Sequence, residues 1–542
     1  MRQTISILSI FAAVFIFSSC GKSNKEGLLI PANAAMAIVM DGESMNEKLP
    51  WSEVKQNELF KLGMEDTSMA SYMRSALENP ENTGVNIKKD FIFYIVNDSA
   101  GSYGALQGTV ADAEKFKSYN STVAGTQAAE KDGISTIQKD KMLTAWNKDR
   151  FLILMNLPDV KKLSERDFTM DSTFNPDSFA VDRIQFSNRD LITLVASNFN
   201  LEKKNSLAEN DKFSDLMDDD GDIRFFVNLE KVYSDMPGME QLAMMDLAKL
   251  YKGTFVTGSA EFENGKIEVK TKSYAGKELD ALWKKYESNG FSMEMAERVN
   301  AENVAVFFTM NFKPQGLLEF IRLIGMEGMI NMGTAFMGFT IDDFIKANKG
   351  NLVFSVSNMR TDSLGKTDAD FLFAAEINDK AAFDKLINAG KKMGSEGLGS
   401  SDVHYSATDK YFAIGNNQAA VSSFTSNKGG KTPKFLADLK GEPFVGYIDF
   451  QQIFKTIPAE TDSMKRVALD ATKAMWESIT MKGGNYDDGG VEQEIEITLV
   501  DKSTNSLKQL NDYISKMAAT QRKTGSSPAL ITNSDTTGVT VL

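Results

Sequence analysis

Residues 91–96 read FIFYIV, and residues 352–357 read LVFSVS. Each is a short apolar run rich in β-branched or aromatic side chains, so each predicts a strand. What decides the fold is the company they keep. Upstream, Ile30–Met40 (IPANAAMAIVM) parallels Val299–Thr309 (VNAENVAVFFT), a polar start leading into a strand. Downstream, Thr109–Phe116 (TVADAEKF) parallels Glu376–Phe383 (EINDKAAF). There Asp112 and Asp379 stand as N-caps of helices carrying Phe116 and Phe383. Next come Asn147–Asn156 against Ala407–Asn416, then Val227–Pro237 against Ile448–Pro458. Last is a strand plus helix, Ile267–Tyr286 against Val491–Ile514, aligning Leu279 with Leu507 and Leu282 with Leu510. Six weak matches in one order read as an internal duplication.

The expected fold class is therefore α+β, with two homologous halves over 30–295 and 296–519. Clusters such as NDSAGSYG, ENGK and NYDDGG separate strands as hairpin turns do, so each half should hold a mostly antiparallel sheet with helices on one face. Helices are expected at Ser52–Leu62, Ala111–Ser121, Met239–Tyr251, Lys277–Ser288, Pro314–Met337, Lys380–Lys392, Asp462–Ser478 and Ser506–Ala518. Residues 520–542 are rich in Ser, Thr and Gly and are expected to form a disordered tail.

The chain has 542 residues, 60 Lys and Arg against 74 Asp and Glu, and a formal charge of −14. Nucleic-acid binding needs clustered cations, so this balance argues against it. Residues 1–19 hold one positive charge, Arg2, ahead of an apolar run from Ile5 to Phe17. That layout is a secretory signal, and the run is too short to span a bilayer. It ends in Phe17-Ser18-Ser19-Cys20-Gly21, which resembles the lipobox of bacterial lipoproteins. The resemblance implies cleavage before Cys20, lipidation of its thiol and a membrane anchor, with 20–29 as a tether. Two or more acyl chains hold a protein stably on a bilayer. Cys20 is the only cysteine, which excludes an intramolecular disulfide, a catalytic cysteine and a Cys-based metal site.

No other motif carries chemistry. The run Asp218-Asp219-Asp220-Gly221-Asp222 fails the EF-hand spacing, since Leu216 and Val227 would fill positions one and twelve, so it reads as a solvated turn. His404, the only histidine, has no partner histidine and no G-x-S-x-G elbow. No phosphate-binding or dinucleotide fingerprint follows a strand. No cofactor, metal or catalytic residue is assigned. Two methionine-rich clusters, Met236–Met245 and Met326–Met337, suit either core filler or an adaptable apolar groove. Five Asp-[Ser/Thr] sites, at Ser99, Ser172, Ser363, Ser463 and Thr536, resemble the O-glycosylation sequon of exported Bacteroidota proteins.

The lipobox, the opening Ile30-Pro31-Ala32-Asn33, the segment Leu49-Pro50-Trp51 and the duplicated strand–helix order resemble a Bacteroidota lipoprotein family of unknown function. The resemblance implies an envelope location and supplies no catalytic residues. Lys22 and Lys25 make the tether neutral to basic, which favours the periplasmic face of the outer membrane over surface display. The expected function is a membrane-anchored, non-enzymatic binding or scaffolding module with an envelope protein or apolar ligand as partner. The alternatives are a carrier of an apolar ligand or lipid in a Met-lined cleft, and a carboxylate-based hydrolase of envelope glycans.

Overall fold

The structure is a computed structural model that describes residues 25–65, 69–158, 186–233, 246–299, 302–362, 366–397, 403–426, 433–436, 439–458, 460 and 462–523. The first ten strands are β1 Ala34–Met40, β2 Phe91–Asp98, β3 Gly101–Thr109, β4 Ala129–Lys131, β5 Ile134–Lys139, β6 Met142–Trp146, β7 Arg150–Asn156, β8 Ile223–Asn228, β9 Phe255–Glu263 and β10 Lys266–Tyr274. The remaining eight are β11 Val304–Asn311, β12 Asn348–Thr361, β13 Thr367–Ile377, β14 His404–Ala407, β15 Tyr411–Gly415, β16 Phe444–Asp449, β17 Trp476–Asp487 and β18 Gly490–Leu499. The class is α+β, and every strand pairing is antiparallel.

Spatial order repeats between the halves. The first runs β6–β7–β3–β2–β1–β8–β9–β10, with β4 and β5 added outside β6. The second runs β14–β15–β13–β12–β11–β16–β17–β18. Even the irregularities match: the pairing slips around Ala35 in β1 and around Ala305 in β11. The two bulges make Ala35 the counterpart of Ala305, one residue away from the alignment read from sequence. A one-residue slip exchanges the two faces of a strand, and apolar residues on both faces hide it.

Two separate sheets were expected, but β10 pairs with β18 along Lys266–Ser273 and makes one 18-stranded sheet. The two edges are complementary. On one face Ile267 and Val269 meet Ile497 and Ile495; on the other Lys270 and Lys272 meet Glu494 and Glu492. Cross-strand pairs of this kind stabilise a sheet.

The helices after β10 and β18 then cross over. Helix Lys277–Lys285 reaches helix Pro314–Leu323 of the other half, where Lys285 Nζ and Tyr286 Oη donate to Glu319. Helix Ser506–Lys523 reaches back to Glu58–Glu65, where Asn511 accepts from Asn57 and Ser515 Oγ accepts from the Glu58 amide. Glu58 and Glu319 open related segments, ELFKLGME and EFIRLIGME, a seventh match that sequence reading missed because one inserted residue breaks it.

Several helix expectations need correction. Pro314–Met337 is split into Pro314–Leu323 and Glu327–Ala335. Gly325 between them has φ +71°, a left-handed conformation that ends a helix. Ser52–Leu62 is split at Lys55–Asn57 into Trp51–Val54 and Glu58–Glu65. The helix expected to reach Ser478 stops at Met475, and Trp476 begins β17. The tail expected from 520 starts no earlier than 524, because Thr520–Lys523 complete the last helix, where Gln521, Arg522 and Lys523 are good helix formers.

Candidate apolar binding face

Strands β1, β2, β11 and β12 alternate between buried and half-buried side chains. One sheet face is therefore sealed. In the first half Ala37, Val39, Tyr94 and Phe226 pack under Leu191, Val195, Phe213 and Leu216 of helices near Ile192–Phe199 and Asp211–Asp218. In the second, Phe307, Val353 and Val445 pack under Met295, Val421 and Phe424. Sequence reading missed these covering helices of the first half. Their stretches are short, and Asp211–Asp218 is crowded with acids.

Among the described residues the opposite face is left open between its two ends, and it is apolar. A face turned toward water normally carries polar residues. Here one register row runs from β2 through β1, β8, β9 and β10 as Phe91, Met40, Ile223, Ala260 and Val269. It crosses the seam to Ile495, Met481, Gly446, Phe308, Phe354, Phe373 and Ile414. None of these twelve side chains carries a charge or a hydrogen-bonding group; Phe373 and Ile495 are exposed, and the others apart from Ala260 and Gly446 are large and half-buried or buried. Neighbouring rows add Ile38, Phe93 and Phe225. At about 4.8 Å per strand the row is about 50 Å long.

The glycines on this face make room for its large side chains. A Cβ at Gly258 would sit 2.4 Å from the Phe225 ring, and one at Gly446 2.8 Å from Met481 Cε. Matched helices close the two far ends. Asp112 caps Ala113–Ala124, whose Phe116 stacks on Phe151 with centroids 5.3 Å apart. Asp379 accepts from the Ala382 amide in Lys380–Gly397, whose Phe383 meets Phe412 at 5.2 Å. The pair of N-caps read from sequence thus places one helix at each end of the open face.

The sealed face at the seam is charged instead. Lys272 lies 2.8 Å from Glu492, and Lys482 lies 3.0 Å from Glu494. They floor a cleft of about 470 Å³ walled by Lys212, Asp215, Asp219, Glu442 and Asp488. Tyr486 donates to Asp280 across the seam at 2.7 Å; that bond, with burial, pushes the phenol up to about 12. Near the hairpin, Glu261, Glu263 and Glu268 bring carboxylates within 4.8 Å of one another. Burial and Glu263 raise Glu261. Burial would raise Glu268 too, but the hydrogen bond and charge of Lys270, helped by Lys266, bring it below the usual range. Lysines 2.6 and 3.5 Å away supply the positive charge this group needs.

A further charge cluster supports the second core. Arg298 is buried, donates to the Phe424 carbonyl and to Glu294 at 2.9 Å each, and lies 4.1 Å over the Tyr411 ring. Hydrogen bonds from Tyr411, Arg298 and Lys410 hold Glu294 down at about 2. A depressed carboxyl stabilises the fold above its unfolded value, near 4.5, and that contribution disappears as pH falls from there toward 2. Glu294 is half-exposed, so solvent screening leaves about 1 kcal/mol. Between pH 5 and pH 2.5, the wild type should lose about 1 kcal/mol more than Glu294→Gln in urea unfolding. Equal losses would remove Glu294 from the pH response.

The individual sites read from sequence scatter. Ser99 is exposed in the β2–β3 turn, and Ser463 is exposed at the start of helix Ser463–Met475. Cys20, Ser172, Ser363 and Thr536 lie outside the described residues, as does the cluster Met236–Met245. His404 opens edge strand β14 opposite Gly415, which in turn pairs with Leu372, so the ladder sets no acid across from it. Asp218, Asp219 and Asp220 are exposed, as a solvated turn requires, but Asp222 is buried. It accepts from Ser44 Oγ at 2.5 Å, from Lys48 Nζ at 2.7 Å and from the Phe262 amide at 2.7 Å. The acidic run therefore ends in a structural clamp, which sequence could not reveal because its partners lie 40 to 178 residues away.

No protein-family model and no curated protein matches the chain. Among solved structures, crystal form I of TP0453 is similar to 46% of this chain over 78% of its own, at 8% identity and TM-score 0.24. Crystal form III covers 49% of this chain and 88% of its own, at 8% identity and TM-score 0.25.

Proposed function

We propose that this protein is a lipid-anchored, non-enzymatic binding protein of the cell envelope that carries acyl-chain ligands on the open face of its sheet. The observation behind this reading is the row from Phe91 to Ile414, apolar over twelve strands and turned outward. An outward apolar surface of this extent marks an interaction site. An extended protein segment laid there would bring backbone donors and acceptors that this floor cannot satisfy, whereas an acyl chain brings none. The floor is about 50 Å long, and one leaflet's hydrocarbon depth is about 15 Å, so several chains fit. At the seam Glu492 and Glu494 are each engaged by a lysine, an ion-pair role rather than the free acid–base role that the glycan-hydrolase alternative needs. Cys20 supplies the anchor in this reading, on the periplasmic face of the outer membrane.

The test is native purification of the acylated chain, followed by organic extraction and mass spectrometry. The Cys20 lipid is covalent and stays behind, so extracted lipid is ligand. Stoichiometric lipid is the expected result. Reproducible partner proteins with no lipid would replace the carrier by a scaffold.

A further inference from the structure

The segment 326–339, MEGMINMGTAFMGF, plays no part in that face. Its residues 328–339 contain no charge, although a quarter of the whole chain is charged. Helix Glu327–Ala335 buries no side chain. It is held through Met326 and Ile330, which rest on a small cluster of Leu318, Ile321, Ile341 and Ile345. The other side of the helix presents Met329, Met332 and Phe336, exposed by 46%, 66% and 91%. Their spacing of three and four residues puts them on one stripe. Ion pairs stand at the base of this tip: Arg322 with Glu327 at 2.9 Å, and Asp343 with Lys385 at 2.7 Å.

We propose that this tip inserts into the surface of an uncharged or zwitterionic bilayer, with Met332 and Phe336 among the acyl chains and the ion pairs at headgroup level. Two arguments choose a bilayer over a protein. The three side chains expose on the order of 400 Å², about half of what each partner gives up in a stable protein interface, roughly 800 Å². The segment also offers no charged rim within those twelve residues, and its two polar side chains are turned inward, Asn331 accepting from the Ile341 amide and Thr334 donating to the Ile330 carbonyl, whereas a protein interface would carry a polar rim. Charge decides the kind of bilayer. The tip has no Lys or Arg, and the chain as a whole is at −14, so anionic headgroups offer it no attraction. Insertion is apolar and insensitive to salt. The proposal does not depend on the acyl-chain reading of the sheet, since no residue is shared.

Methionine oxidation by hydrogen peroxide reads the tip directly, because burial in lipid slows sulfoxide formation. The acylated full chain is placed on phosphatidylcholine vesicles, oxidised in a short pulse and mapped by mass spectrometry. Met142, exposed by 38% on strand β6, is the internal control. Met332 is the more exposed of the two in the free fold, yet it should oxidise at least fivefold more slowly on vesicles. Phe336→Glu, at a site too exposed to affect folding, should return Met332 to the rate of Met142 or above. Raising salt from low to high should change neither rate. Met332 oxidising as fast as Met142 in the wild type overturns the proposal. So does protection that vanishes when fewer protein molecules share each vesicle, which would assign the stripe to a second copy.

Discussion

Asp222→Ala is expected to lower the stability of the first half by roughly 3–5 kcal/mol, the cost of leaving a buried charge pair broken. Asp222 ties three separate elements: helix Gly42–Lys48 through Ser44 and Lys48, strand β8, which it immediately precedes, and β9 through the Phe262 amide. Without the carboxylate the Phe262 amide loses its side-chain acceptor and the half-buried Lys48 ammonium loses its counter-ion. An unsatisfied buried donor and an unpaired charge both cost more than the bonds were worth. The fall in the thermal midpoint should be about 10 °C. Thermal unfolding followed by circular dichroism measures it; a shift under 2 °C would mean that water replaces Asp222 freely. Asp220→Ala, on the exposed part of the same run, should change the midpoint little.

Phe354→Asp should strip bound lipid from the open face and leave the fold intact. Phe354 lies mid-row between Phe308 and Phe373, half-buried on the stretch of the face that the described residues leave open. A carboxylate there keeps its hydration when the face is empty, so folding is little affected. Acyl chains would have to dehydrate it. Losing one large apolar contact alone is worth about 1.5–3 kcal/mol, a factor of about ten to a hundred in affinity. Extracted lipid per protein should drop by at least tenfold, with an unchanged circular dichroism spectrum. Lys482→Ala, on the sealed face at the seam, is the matched control and should retain its lipid. Full lipid content in Phe354→Asp would end the open-face reading.

The duplication was legible because it repeats local grammar. Asp112 and Asp379 cap their helices, Asn228 and Asp449 accept from the amides of Lys231 and Gln452, and Phe116 and Phe383 are both buried. Each depends on residues within a few positions, and such signals survive in a one-dimensional reading. Strand phase did not. Ile38 beside Val39 and Phe308 beside Phe307 look alike in sequence, though one of each pair is sealed and the other open. Apolar residues on both faces erase the period-two alternation that would tell the faces apart.

By itself, then, the sequence determined the α+β class, the repeated strand order and the capped helices. It did so because propensity, capping and turn chemistry act over short separations. Only the tertiary structure decided that β10 and β18 fuse two sheets into one, that Asp222 is a clamp, and which apolar face stays open. Those depend on which distant strand meets which edge. The Met326–Met337 stretch lies between the two cases: its apolar character was plain in the sequence, but Gly325 turned the chain so that Met332 and Phe336 face outward rather than into a core.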